Sequence, residues 1–173
     1  MLPVSEIENL FLLPDIAAAI LQEEKYDGEE LRAKLKTLTL EVLSEVSRPG
    51  SIEEVVLRYC RRRIDRTLKK IDLKDAENSA DLATIYAERT AALDVASVAK
   101  EARERIEEAV TKGDLPALLA NFDNKALLAL GAKHLKNSSK LSFESWVTRA
   151  MRDPEAGKFK TALGKVLPEV TAR

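Results

Sequence analysis

Cysteine occurs once in this chain, at Cys60, and histidine once, at His134. A single cysteine excludes an internal disulfide and makes a reducing compartment the expected setting. Cys60 falls where an apolar stripe is due, so it reads as a small buried residue rather than a reactive thiol. Glycine and proline are scarce, six of each in 173 residues, and aromatic residues make up only 5%. So few aromatics argue against a β sandwich, because strands favour aromatic and β-branched side chains. No uncharged stretch approaches the roughly 18 residues that span a bilayer, and no basic segment leads into a short apolar core. A cytoplasmic location is expected, with no membrane among the partners.

Catalytic signatures are missing as well. There is no phosphate-binding glycine loop, dinucleotide fingerprint, HExxH zinc motif, cysteine pair or GxSxG nucleophile elbow. His134 has no nucleophile near it in sequence and lies toward the C-terminal end of a predicted helix. There an imidazole complements the helix dipole, so capping or surface placement is expected of it rather than catalysis. The chain is expected not to be an enzyme and to need no cofactor or metal.

What is abundant is helix-forming and charged. Apolar residues make up 45% and charged residues 33%, and Ala, Leu, Glu, Lys and Arg dominate, as in helical proteins. The net charge of −1 conceals an asymmetry: residues 1–57 carry 12 acids and 5 bases, 58–119 carry 12 and 13, and 120–173 carry 5 and 10. An acidic front and a basic tail either attract each other within one fold or face different partners. The length suits one domain with a core and is too short for two ordinary ones. The expectation is an all-α, irregular multi-helix bundle forming a single domain over 1–173. Within it, 1–25 is a joining segment, 27–112 a long-helix core and 114–173 a C-terminal helical subdomain.

Capping signals mark the helix starts. Ser5 with Glu8, Asp27 with Glu30, and Ser51 with Glu54 each have capping-box spacing. They predict a short helix carrying Ile7, Leu10 and Phe11, a helix to about Val46, and a helix to about Ile71 whose stripe includes Val55, Val56, Ile64 and Leu68. Pro14 suits the first turn of a helix burying Ile16, Ala19 and Ile20. From 79 to about 112 the apolar pattern runs without Gly or Pro, predicting one long helix of roughly 50 Å at about 1.5 Å per residue. Such a helix offers an Ala-rich face to a neighbour, or to a second copy in a homodimer. Gly113 reads as its C-cap, and Leu115-Pro116 as the start of a short helix. Asp123 is expected to cap a helix over 124–135, Asn137 to Lys140 to form a loop, Ser142 to cap the next helix, and Asp153-Pro154 to open the last.

The strongest charge cluster is Arg58, Arg61, Arg62, Arg63, Arg66, Lys69 and Lys70. At helical spacing Arg58, Arg62, Arg66 and Lys69 share a face, which makes them candidates for phosphate contact. The competing reading is intramolecular or interdomain pairing of that face with the acidic front, for instance Glu23, Glu24, Glu29, Glu30, Glu41 and Glu45. No aromatics interleave with the cations, so stacking on single strands gains no support. A second basic region, Lys133, Lys136, Lys140, Arg149, Arg152, Lys158, Lys160 and Lys165, carries less weight, since Lys is common near helix C-termini.

One stretch carries a family signal. Leu2-Pro-Val-Ser-Glu-Ile-Glu-Asn-Leu-Phe-Leu-Leu-Pro-Asp15 resembles the segment that ends the Toprim-like half of ATPase-plus-Toprim proteins of the overcoming-lysogenization-defect nuclease type, and Glu8-Asn9 matches its most recognisable dipeptide. Phe122-Asp-Asn-Lys-Ala-Leu-Leu128 is similar to a Gly-Lys-x-Leu-Leu segment of the same proteins, with Asn124 in place of the glycine. The resemblance implies an ATPase half that dimerises and a Toprim half that holds divalent metal in clustered carboxylates to cleave nucleic acid. Only Glu8 could belong to such a cluster. Without an Asp-x-Asp strand or a Walker motif, neither ATP hydrolysis nor nuclease activity is expected of these residues. Glu8 reads more simply as the third residue of a capping box.

The expected role is therefore a non-catalytic helical region that mediates interaction or positions nucleic acid within a larger ATPase or Toprim-type protein. Its partners would be upstream domains of the same polypeptide, a protein, or nucleic acid. An independent helical scaffold or regulatory protein, dimeric in one form, is the alternative.

Overall fold

The computed structural model describes residues 2–136 and 142–167. Among these residues there are nine α-helices, three short 3-10 helices and no strand, so the fold is all-α. The expected loop from Asn137 to Lys140 lies outside the described residues.

The chain opens with a 3-10 helix, Ile7–Leu12, followed by α1 (Pro14–Glu23), α2 (Gly28–Val46) and α3 (Ser51–Leu68). Pro14 occupies the first turn of α1, where its missing N–H removes nothing the helix needs. Ile16, Ala17, Ile20 and Leu21 are buried on α1, and Leu38, Val42 and Val46 on α2. The first residues pack into the fold: Leu10 and Leu12 are buried, and Phe11 packs edge-on to Phe143 at 5.3 Å between ring centroids. Trp146 and Phe159 complete this aromatic group, their centroids 5.6 Å apart. Gly131 allows the closest approach to the opening 3-10 helix, since a Cβ there would lie 3.2 Å from the Leu12 side chain.

None of the three expected capping boxes forms. The Ser5 hydroxyl instead donates to the Leu119 carbonyl at 3.1 Å, and neither Asp27 nor Ser51 donates or accepts a side-chain cap bond. A glycine in the left-handed conformation, Gly50 at φ 83°, precedes α3 and places Ser51 inside the helix. The helix starts were nevertheless well marked, because the acidic first turns Glu29-Glu30 and Glu53-Glu54 complement the dipole without a specific cap bond.

The single long helix over 79–112 is corrected to two helices, α4 (Ser79–Thr90) and α5 (Val95–Lys112). The physical reason is Asp94, which accepts from the Ser97 backbone N–H at 3.1 Å and from the Ser97 hydroxyl at 2.6 Å. A carboxylate that can satisfy a first-turn amide starts a new helix in competition with continuing the old one. Asn78 caps α4 in the same way through the amides of Ala80 and Asp81. Gly113, at φ 64°, ends α5 as expected.

Beyond it lie α6 (Leu115–Asn121), α7 (Leu128–His134), α8 (Phe143–Arg152) and α9 (Gly157–Val166). Ser142 caps α8 through the Ser145 amide. The last helix begins later than Asp153-Pro154, because the Asp153 side chain accepts from Glu155 N in a tight turn at 2.9 Å.

No residue between Cys60 and Ala102 is buried. The second half of α3, α4 and the start of α5 thus leave the core as an arm, with α4 packed back on α3. Ile64 is only partly covered and Leu68 is exposed, contrary to the stripe expected there. Replacing the fully buried Leu118 by alanine should cost about 2–5 kcal/mol, whereas Leu73→Ala on the arm, at a residue 71% exposed, should stay within about 0.5 kcal/mol. Urea unfolding followed by circular dichroism measures both.

Candidate nucleic-acid interface

No glycine or proline interrupts α3 between Ser51 and Leu68, so its side chains follow the 3.6-residue period without a kink. Val55, Val56 and Cys60 turn toward the core, and the cations fan over the rest of the circumference. The four candidate phosphate contacts do not behave as one set.

Arg58 and Arg62 are engaged within the fold. Arg58 donates to the backbone carbonyl of Asp123 at 2.9 Å, and the Arg62 guanidinium pairs with the Asp123 carboxylate. Asp123 is nearly buried, with a side chain 10% exposed. It does not cap the following helix; Asn124 takes that role, accepting from Ala126 N at 3.0 Å at the head of a 3-10 helix, Lys125–Leu127. A buried carboxylate requires a partner, and Arg62 is within reach because α3 passes beside the turn after α6.

Arg66 and Lys69 are exposed and make no ion pair with any described residue, and the same holds for Arg63 and Lys70. Arg61 lies 3.9 Å from Asp65 on its own helix. The expected pairing of α3 with Glu41 and Glu45 is therefore corrected, although Arg58 lies 3.9 Å from Glu54 on its own helix. Glu41 turns to Lys133 at 2.7 Å and to His134 at 2.8 Å, Glu45 pairs with Arg48 at 2.6 Å, and Glu53 binds Arg103 of α5. The acidic front meets the basic tail where Glu41 on α2 contacts the end of α7.

There His134 is mostly covered rather than on the surface. The hydrogen bond from Lys133, with that from His134 second, holds the Glu41 carboxyl below the usual carboxylate range. A carboxyl that is more acidic folded than unfolded adds stability at neutral pH, and that increment is lost as the pH falls through its lowered pKa.

Of the two motif residues, Asn9 is fully buried and its amide donates to the Asn124 carbonyl at 3.3 Å. Glu8 is partly buried and is not part of a capping box. Among the described residues no group of three or more His, Cys, Asp or Glu could hold a metal, so Glu8 stands in no carboxylate cluster. The Asn9 bond brings residues 2–15 and 122–128, the two stretches in which the sequence resemblance lies, into direct contact.

Sequence reasoning missed a cleft of about 540 Å³ between residues 2–5, α3, α5 and the end of α6. Val55, Val56 and Ile106 form its floor, and Arg63, Arg66 and Arg105 stand around it. Arg105 also pairs with Glu101 at 2.9 Å. Only the packing of α3 on α5 places Arg105 beside Arg63 and Arg66, and no local pattern signals that.

Comparison with protein-family models, with curated proteins and with solved structures finds no match for this chain. Among the described residues no helix is long and apolar enough to cross a membrane.

Arg62→Ala should cost about 1–3 kcal/mol by leaving the Asp123 carboxylate without its partner, while Arg66→Ala should change stability by less than about 0.5 kcal/mol. Equal urea midpoints for the two variants would contradict this division. For Glu41, acidification from about pH 7 to about pH 3 should lower the unfolding midpoint of the wild type slightly more than that of Glu41→Gln. The difference is small because the pair is solvated.

Proposed function

We propose that this chain is a non-catalytic helical region that positions nucleic acid for a larger protein of ATPase-plus-Toprim type, holding the phosphate backbone on the outer part of α3. The observation that carries this reading is the row Arg63, Arg66, Lys69 and Lys70, exposed and without an ion pair among the described residues. What sets this row apart is that four cations crowd within eight residues at the end of one helix, whereas Arg48, Arg103, Arg105, Lys112 and Lys133 each stand beside a carboxylate. A cluster of like charges repels itself, and a polyanion relieves that repulsion while releasing its own counterions. The wider assignment draws on the resemblance of residues 2–15 and 122–128, and on the bond between Asn9 and Asn124 that joins them.

On this reading Arg58 and Arg62 anchor the helix, and Arg66 and Lys69 touch the phosphates. The test is fluorescence anisotropy with a labelled DNA duplex over a series of salt concentrations. The double variant Arg66→Glu, Lys69→Glu should lower affinity at least about tenfold and flatten the plot of log K against log salt by about 2, with helicity unchanged by circular dichroism. A variant that binds with the wild-type affinity and slope would sink the proposal.

A further inference from the structure

We propose that the cleft beside α3 receives one unpaired nucleotide, so that the nucleic acid held by this chain is single-stranded at that point; this rests on the reading that α3 holds a phosphate backbone. The cleft volume of about 540 Å³ lies within the range of ligand-sized pockets, roughly 300–1,000 Å³. It has room for one nucleotide and not for a duplex.

Its chemistry is divided as a nucleotide's is. Leu2, Pro3, Tyr59 and Ala120 offer accessible apolar surface over the buried Val55, Val56 and Ile106, and Arg63, Arg66 and Arg105 surround it with guanidinium groups, while the carboxylate of the lining, Asp123, is paired with Arg62. A nucleotide has apolar faces on its base and sugar and a charge at its phosphate. In a duplex the bases are turned inward and paired, so only phosphates could reach these arginines, and the accessible apolar surface of Leu2, Pro3, Tyr59 and Ala120 would stay in water. An unpaired nucleotide satisfies both parts of the cleft at once. The expectation that no aromatic accompanies the cations is corrected by Tyr59, which α3 places on the wall beside Arg62 and Arg63; it and the planar guanidinium groups are side chains of the kinds on which unpaired bases stack.

Two of the neutral polar groups of the wall donate within the fold: the Ser5 hydroxyl to the Leu119 carbonyl at 3.1 Å and the Asn121 amide nitrogen to the Ala117 carbonyl at 2.8 Å.

Ala120 is exposed on α6 and lines the cleft, so Ala120→Trp fills the space without removing a buried side chain. Binding of a labelled oligothymidylate of about 20 nucleotides is compared with binding of its duplex with oligoadenylate, at one salt concentration, for the wild type and this variant. The wild type should bind the single strand about tenfold more tightly, or better, on the scale of one stacked base. Ala120→Trp should erase that preference and leave duplex binding unchanged. Equal wild-type affinity for the two forms, or a preference that survives in Ala120→Trp, would overturn the cleft assignment. If duplex binding still responds to Arg66→Glu, Lys69→Glu, the cleft assignment alone has failed. If neither form binds the wild type, the reading of α3 fails and the cleft assignment falls with it.

Discussion

The fold depends on the burial of its first apolar run. Leu10, Leu12, Ile16, Ala17, Ile20 and Leu21 sit in the hydrophobic core of a chain that is otherwise one-third charged. Each large side chain in that run contributes about 1.5–3 kcal/mol by leaving water, and the run touches material from far along the sequence. α9 and α2 cover α1, while α7 and the aromatic pair Phe143 and Phe159 close over the opening 3-10 helix. The later helices are short and supply surfaces for this insert; without it, α8 and α9 would face solvent with Phe143, Trp146 and Phe159.

A second constraint is electrostatic and local. The turn at Phe122 and Asp123 is buried, and its polar groups are met from two directions. Arg58 and Arg62 reach it from α3, and Asn9 reaches the next carbonyl from the opening segment. Those contacts align α3 with the core at its midpoint. They also explain why a helix with so many arginines is tolerated beside the core, since Arg58 satisfies the Asp123 carbonyl and Arg62 sets its charge against the Asp123 carboxylate.

Helices were legible in the sequence to the extent that local chemistry decides them. Pro14, Gly113 and Ser142 act within one turn of where they stand, and each does in the fold what its type implies. The missed break at 91–94 has the same scale, but its signal is weaker: Asp94 with Ser97 competes with an Ala-rich pattern that continues on both sides, and periodicity cannot see which of two local bonds is made. What sequence could not supply is partner choice across the fold. Arg58, Arg62, Arg66 and Lys69 are equivalent in spacing; they differ only because the turn after α6 passes beside the first two. The same holds for Asn9, whose burial is set by a carbonyl more than a hundred residues away, and for Arg105, which joins the cleft only through the packing of α3 on α5.

That inequivalence divides the labour along one helix. The first half of α3 is held by Val55, Val56 and Cys60 in the core and by Arg58 and Arg62 at the buried turn. The second half has no buried side chain and carries cations that repel one another, so it is stabilised by its own backbone bonds and by the cover of α4. A segment with few buried contacts opens at a lower free energy than the core does, and charge repulsion lowers it further. A polyanion bound along that half reverses the second effect, because it replaces repulsion among the cations with attraction to phosphate. The cleft lies where the two halves meet, with Arg63 and Arg66 on one side and the aliphatic floor of the core on the other. A ligand there would be held by the rigid part of the helix while neutralising the part that needs it.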